Sequence, residues 1–210
     1  MNRRSFLKSS AFSLMGLAAV CLGCSNQQSA AATPAAATTN TNQGAQSTMN
    51  TLNKKILIAY FSWSGNTRAV AEEIHHRISG DIYEIVPETP YSQNYSATVD
   101  KAKQEQQNNA RPAIKNRLTD ISQYDIVFIG YPNWWGSLPM PVATFMDGCS
   151  WQGKTVAPFF THGGGGVQNC ERDLHKLAPG AAFTDYLCVS GNRARSAQNE
   201  VSNWLQKLHL

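Results

Sequence analysis

Residues 55–67 read Lys-Ile-Leu-Ile-Ala-Tyr-Phe-Ser-Trp-Ser-Gly-Asn-Thr. The continuous apolar run predicts a strand that is buried on both faces of a parallel sheet. The polar loop at 62–67 offers three hydroxyl groups and a glycine, and a helix is predicted over 66–79. Backbone N–H groups at a helix N-terminus are unpaired and lie at the positive end of the helix dipole. The loop therefore predicts an anion site, with an ordinary capped turn between strand and helix as the alternative.

The rest of the chain repeats this alternation of strand and helix. Further strands are predicted at 81–86, 124–132, 154–160 and 182–189, and further helices at 140–146, 167–177 and 196–208. Right-handed crossovers then predict an α/β fold, a doubly wound five-stranded parallel sheet of order 2-1-3-4-5 in three α/β/α layers. The connection 88–124 is long for a crossover, so we expect part of it, with a helical stretch at 96–109, to cover one face or the site. Pro158 has no N–H group to donate to a neighbouring strand, which predicts a local irregularity in the strand at 154–160.

Two more loops follow strands whose ends lie at the same edge of this sheet. After the third strand, Trp134 and Trp135 suggest a stacking platform, and Gly136 permits close approach of the backbone; the alternative is that one tryptophan plugs the end of the sheet. After the fourth strand, residues 161–166 read Thr-His-Gly-Gly-Gly-Gly. His162 is predicted to contact a ligand or to relay a proton, and the alternative is a solvated loop histidine. The three loops together predict a phosphate monoester joined to a planar ring.

Four segments resemble the bacterial flavodoxin-like family with a Trp-Trp-Gly flavin loop. They are Tyr-Phe-Ser-Trp-Ser-Gly-Asn-Thr at 60–67, Ala-Arg-Pro at 110–112, Gly-Tyr-Pro-Asn-Trp-Trp-Gly at 130–136 and Phe-Phe-Thr-His-Gly-Gly at 159–164. The resemblance spans residues 54–210 and implies a flavodoxin-like fold with FMN as cofactor. In the phosphate loop it matches Ser62, Ser64, Gly65, Asn66 and Thr67, while Trp63 is expected to matter mainly through its backbone. The implied flavin contacts are Pro132, Asn133, Trp134, Trp135, Gly136, Thr161, His162, Gly163 and Gly164.

The resemblance implies a redox protein with the flavin as the reactive group. Together with the export signal predicted at residues 1–24, it predicts electron transfer in the cell envelope. Its partner would be a redox protein or a small electron acceptor. The alternative is an FMN-dependent NAD(P)H:quinone or small-acceptor reductase; the lack of a second dinucleotide motif favours the carrier, and no catalytic residue is assigned. A binding module that has lost FMN is a third hypothesis, and the intact phosphate loop argues against it.

The N-terminal part predicts export. Residues 1–24 combine Arg3-Arg4, typical of a twin-arginine signal, with an apolar run at 11–23 that is short for a membrane span, a short anchor helix being the alternative. Cys24 ends a segment that resembles a lipobox, which would make the protein a membrane-anchored lipoprotein, whereas cleavage near residues 30–32 would release it into the periplasm. Residues 25–53 are polar and small and predict a disordered linker before the domain at 54–210.

Charge and cysteine content exclude several classes of function. Three of the 18 basic residues, Arg3, Arg4 and Lys8, lie in the signal. The remaining 15 are balanced by 14 acidic residues, so the net charge of the mature chain is only about +1. No nucleic-acid partner is therefore indicated. The three cysteines outside the signal region, Cys149, Cys170 and Cys188, include no Cys-x-x-Cys pair. This argues against a disulfide framework and a metal site, with a Cys170–Cys188 bond left open for an oxidising envelope.

Overall fold

The computed structural model describes residues 54–208. The predicted export signal and linker lie outside the described residues. Within 54–208 no helix is both long and apolar enough to cross a bilayer.

Strands and helices alternate along the described chain. The strands are β1 Ile56–Tyr60, β2 Asp81–Glu84, β3 Ile126–Pro132, β4 Thr155–His162, β5 Ala182–Phe183 and β6 Leu187–Ser190. The α-helices are α1 Asn66–Ile78, α2 Tyr95–Gln107, α3 Met140–Asp147, α4 Cys170–Leu177 and α5 Gln198–Leu208, and a 3₁₀ helix spans Gly191–Ser196. Sequence patterns missed the 3₁₀ helix and began α4 three residues too early, because loop residues of mixed polarity continue the helical period.

All the strands run parallel, in the order β2-β1-β3-β4, followed by β5 and β6, which lie end to end along β4. The predicted 2-1-3-4-5 order is confirmed. The last position differs in detail, because the strand predicted at 182–189 is two short strands, separated at 184–186. Both pair with the same neighbour, so they act as one interrupted edge strand.

This interruption lies opposite Pro158. β4 itself is continuous, and Pro158 pairs in register with Ile129 of β3, so the irregularity expected within β4 is absent. The carbonyl groups of Lys154 and Val156 accept from Ala182 and Thr184, and every second residue of β4 directs its peptide group to that side. Pro158 therefore turns its missing N–H group toward the gap between β5 and β6, where no ladder donor is needed.

Two hydrophobic layers cover the sheet, and strand alternation decides which layer each side chain joins. In β1, Leu57 and Ala59 belong to the layer that packs against α3 and α4, while Ile58 and Tyr60 belong to the layer that packs against α1 and α5. Trp204 of α5 is buried at 5 % exposure in the second layer. The result is the expected three-layer α/β/α arrangement.

The long connection between β2 and β3 is an excursion whose two ends pair with each other. Glu88 donates its N–H group to Ala113 and Lys115 donates to Val86, so the segment returns to the edge of the sheet where it left. The excursion contains α2, which buries only Thr98 and Ala102. The helical stretch expected in this connection is therefore present, and residues of α2 line a cavity beside the loops at the carboxyl edge of the sheet.

Candidate functional site

The loops after β1, β3 and β4 meet at one edge of the sheet. The hydroxyl groups of Thr67 and Thr161 lie 2.8 Å apart in a buried hydrogen bond between the first and third loops. Asn133 of the second loop donates its backbone N–H group to the carbonyl of Thr161 at 2.7 Å. Parallel strands bring these loops together because their carboxyl ends share an edge.

The loop after β1 combines available donors with an unsatisfied hydroxyl group. The Oγ atom of Ser62 is buried and has no hydrogen-bond partner within the described part of the chain. Gly65 precedes α1 with φ at 83°, and no side chain caps this helix, so the N–H groups of its first turn stay available. A buried hydroxyl group without a partner is costly, and an anion at the positive end of α1 would satisfy it. The loop therefore fits a phosphate group.

Asn133 holds the second and third loops in a fixed relation. Its side-chain Oδ1 accepts from the N–H group of Gly136 at 2.9 Å, and its Nδ2 donates to the carbonyl of Gly166 at 2.7 Å. Pro132, the last residue of β3, pairs with Thr161. Because one side chain satisfies a backbone group on each loop, Asn133 is a positioning residue for both.

The Trp-Trp-Gly segment forms a tight turn. Trp134 and Ser137 exchange two backbone hydrogen bonds, each 3.0 Å long, and φ is positive at both Trp135 (53°) and Gly136 (77°). This is the pattern of a type I′ turn, which glycine tolerates and a bulky residue does not. The strain at Trp135 is of the kind that clusters at binding sites, and it holds this indole outward.

The two tryptophans have different environments. Trp134 is half-buried and packs edge-on against Phe61 and Tyr91, with ring centroids 5.3 Å and 5.0 Å away. Trp135 is 48 % exposed; its Nε1 donates to the carbonyl of Val99, and the Nζ atom of Lys103 lies 4.8 Å from the centre of its ring. Trp134 therefore plugs the end of the sheet, and Trp135 is the candidate platform.

We expect Trp134→Ala and Trp135→Ala to differ in stability. Trp134→Ala should lower the free energy of unfolding by about 2–4 kcal/mol, because it leaves a gap beside two aromatic rings. Trp135→Ala should lower it by less than about 1 kcal/mol, since the exposed indole contributes little burial. Urea unfolding of both variants measures the difference, and equal losses would contradict this partition.

A cavity of about 250 Å³ lies between the first two loops and α2. Trp63 belongs to it: its Nε1 donates to the carbonyl of Ser92, and its ring lies 6.2 Å from that of Tyr95. The side chain of Trp63 therefore forms a wall of the cavity, in addition to the backbone role expected for this residue. The cavity is lined by Trp63, Tyr95, Thr98, Val99, Ala102, Asn133, Trp134 and Trp135.

The glycine loop after β4 is open at its centre. A Cβ atom placed on Gly163 or Gly164 would meet no atom within 4 Å, so the packing of the protein does not explain why side chains are absent there. His162 is half-buried, and its Nδ1 accepts from the N–H group of Gly164 at 3.0 Å. One ring nitrogen of His162 thus shapes the loop, and Gly163 leaves room for a ligand to approach the backbone.

The 3₁₀ helix adds a charged residue that sequence analysis did not assign to the site. A Cβ atom on Gly65 would lie 3.4 Å from Nη2 of Arg195, so this guanidinium group lies beside the first loop. The place of Arg195 in the sequence could have assigned it to the site, because residues that directly follow the last strand of a parallel sheet lie at the same edge as the other loops.

The three cysteines outside the signal region all lie within residues 54–208. Cys149, Cys170 and Cys188 are free thiols, so the Cys170–Cys188 bond left open by the sequence is not formed. Burial raises the pKa of Cys149 to about 11 and that of Cys170 to about 12, which keeps both protonated at neutral pH. Residues 54–208 contain no group of three or more His, Cys, Asp or Glu side chains that could hold a metal ion.

The chain is similar to a family of known proteins and to several solved structures. A flavodoxin family model matches residues 55–208. The structure of a protein assigned as a flavoprotein from Bacteroides eggerthii has 35 % identity and a TM-score of 0.66, covering 75 % of this chain and 99 % of that one. A second such structure, from Bacteroides uniformis, has 29 % identity and a TM-score of 0.65, covering 73 % and 98 %. A Lactobacillus acidophilus flavoprotein in complex with FMN has 29 % identity and a TM-score of 0.57, covering 72 % and 99 %. No curated protein matches this chain.

Proposed function

Because this chain belongs to the flavodoxin family, we propose that it is an FMN-binding redox protein that transfers electrons in the cell envelope. The FMN complex of the Lactobacillus acidophilus relative supports the choice of cofactor. Bound FMN supplies the electron-transfer chemistry, while the protein binds it, orients it and shields it from water.

The observation that carries the proposal is the buried, unpartnered Oγ atom of Ser62 beside the uncapped start of α1. A phosphate monoester accepts from that hydroxyl group and from the free N–H groups together, and it is stabilised by the helix dipole. One compact anion site without an adenosine motif favours FMN over a dinucleotide. The residues that would hold the phosphate are Ser62, Ser64, Gly65, Asn66 and Thr67.

The planar ring would lie against the second and third loops. Trp135 presents an exposed indole there, and Gly136 allows the adjacent peptide to adjust to the redox state of the flavin. Such an adjustment would break the hydrogen bond that the Gly136 N–H group donates to Asn133 Oδ1. The other residues proposed to contact the flavin are Trp63, Pro132, Asn133, Trp134, Thr161, His162, Gly163 and Gly164.

The cavity beside α2 supports a second candidate function, an FMN-dependent NAD(P)H:quinone or small-acceptor reductase. Its aromatic walls, Trp63, Tyr95, Trp134 and Trp135, suit a planar acceptor next to the flavin loop. A carrier that passes its electrons to a partner protein does not need this space. The carrier remains the first choice, since the sequence shows no second dinucleotide motif.

The visible absorption spectrum of the purified protein tests the cofactor. We expect flavin bands after purification or after FMN is added, together with quenched tryptophan emission, because Trp135 and Trp63 lie close to the proposed ring site. A protein that neither carries nor takes up FMN would contradict the proposal. Titration with NADH and NADPH then separates the two functions: rapid bleaching of the flavin supports the reductase, and no bleaching supports the carrier.

The envelope location is proposed from the sequence of residues 1–24. Arg3-Arg4 suits export through a route that accepts folded proteins, which a cytoplasmically loaded flavoprotein needs. Mass spectrometry of the mature N-terminus tests the anchor. A lipidated Cys24 supports the lipoprotein, and a start near residue 31 supports release into the periplasm.

A further inference from the structure

The 3₁₀ helix Gly191–Ser196 is packed tightly against the phosphate loop. A Cβ atom on Gly191 would lie 2.7 Å from Nδ2 of Asn66 and 3.4 Å from the carbonyl oxygen of His162. No side chain fits at such a distance without movement of its neighbours. The helix is therefore held in contact with both the first and the third loop, and its side chains have a defined place at the site.

Arg195 extends from this helix toward the start of α1. Its Nη2 atom lies 3.4 Å from the position of a Cβ atom on Gly65, the residue that precedes the uncapped first turn. A guanidinium group with planar donors suits a phosphate group, because it donates two parallel hydrogen bonds. Its position matches the place where the loop itself offers N–H groups to an anion.

The other arginines near this edge are already paired. Arg68 of α1 contacts Glu84 at 2.5 Å, and Arg193 of the same 3₁₀ helix pairs with Glu200. Arg195 takes part in none of the ion pairs formed among residues 54–208. A cation without a counter-charge next to the positive end of a helix is an unfavourable arrangement. A bound anion would supply the missing counter-charge and make this arrangement favourable.

We propose that Arg195 is a phosphate-binding residue of this site. Its guanidinium group pairs with the phosphate of FMN beside Gly65 at the start of α1, and it makes the site select phosphorylated flavin over riboflavin. The inference rests on the proposed FMN function and adds a charged contact to a loop that otherwise offers only hydroxyl and amide groups. It also predicts that FMN affinity falls as salt rises, because the contact is partly exposed to solvent.

The test compares Arg195→Gln with Arg193→Gln in the full chain stripped of flavin. Both variants remove one positive charge from the same helix, but only Arg195 faces the loop. FMN and riboflavin are titrated by fluorescence at about 20 mM and about 200 mM salt, where the Debye length differs about threefold. We expect Arg195→Gln to weaken FMN binding about 10- to 100-fold at low salt, as for a lost hydrogen bond between charged groups. Riboflavin affinity should be unchanged, and Arg193→Gln should stay within about twofold of the unmodified protein for both ligands.

Three results would overturn the inference. The first is equal FMN affinity in the two glutamine variants. The second is an equal loss of riboflavin affinity in Arg195→Gln, which would show that Arg195 only supports the loop. The third is a loss of FMN affinity in Arg195→Gln that is the same at low and at high salt, since an ionic contact weakens as salt rises. Absence of FMN binding by the unmodified protein would instead refute the proposed function, so the two failures are distinguishable.

Discussion

Ser64→Asp is expected to weaken FMN binding at least about 100-fold while leaving the fold intact. Ser64 is exposed in the loop before α1, so an aspartate there meets no packing conflict. It places a negative charge beside the phosphate site, and like charges about 4 Å apart repel by about 4 kcal/mol near a protein surface. Exposure to solvent reduces this value, which is why we expect two orders of magnitude in affinity and not three.

Two variants control for other effects of this substitution. Ser64→Asn removes the hydroxyl group without adding charge and should weaken binding far less. Ser122→Asp adds the same charge to an exposed residue that precedes β3, at the opposite edge of the sheet, and should leave FMN affinity unchanged. Fluorescence titration with FMN measures all three. If Ser64→Asp binds FMN as tightly as Ser122→Asp does, the loop 62–67 is not the phosphate site.

Gly130→Val is expected to lower the free energy of unfolding by more than about 3 kcal/mol, at the upper end for an overpacked core. Gly130 lies in the middle of β3, next to Phe159 of β4. A Cβ atom on Gly130 would lie 2.0 Å from the Cζ atom of Phe159, and this ring is fully buried. The sheet must therefore shift or lose the contact, which removes a large fraction of the roughly 5–15 kcal/mol by which an ordinary domain is stable.

Gly163→Ala is the matched control, because its new Cβ atom would meet no atom within 4 Å. We expect its stability to stay within about 0.5 kcal/mol of the unmodified protein. Phe159→Leu combined with Gly130→Val should recover part of the lost stability, since the smaller side chain makes room. Urea unfolding measures each variant. A stable Gly130→Val protein, or a double variant no better than the single one, would show that the ring does not occupy this space.

The strand order was predictable because local patterns determine it. The apolar run at 56–59 and the helical period that follows recur along the chain, and the handedness of crossovers leaves few topologies. Pro158 was harder to interpret, because the neighbour that its missing N–H group faces is distant in the sequence. The pattern showed a strand with a misplaced proline; the structure shows that the gap at 184–186 accommodates it.

The tryptophan pair shows a second limit of sequence analysis. Trp134 and Trp135 are adjacent and chemically identical, so no pattern tells them apart. Only the packing of Phe61 and Tyr91 around Trp134 makes one of them part of the core. The positive φ at Trp135 then turns the other outward, toward the cavity beside α2.

The sequence by itself determined the three-layer fold and the edge at which its loops meet, because the alternation of strand and helix and the positions of the loop residues are local properties of the chain. It also identified the phosphate loop by residue type. Only the tertiary structure decided that the Ser62 hydroxyl group is buried without a partner and that Arg195 lies beside Gly65. Both depend on contacts between segments far apart in the sequence, which the packing of helices on the sheet creates and no local pattern encodes.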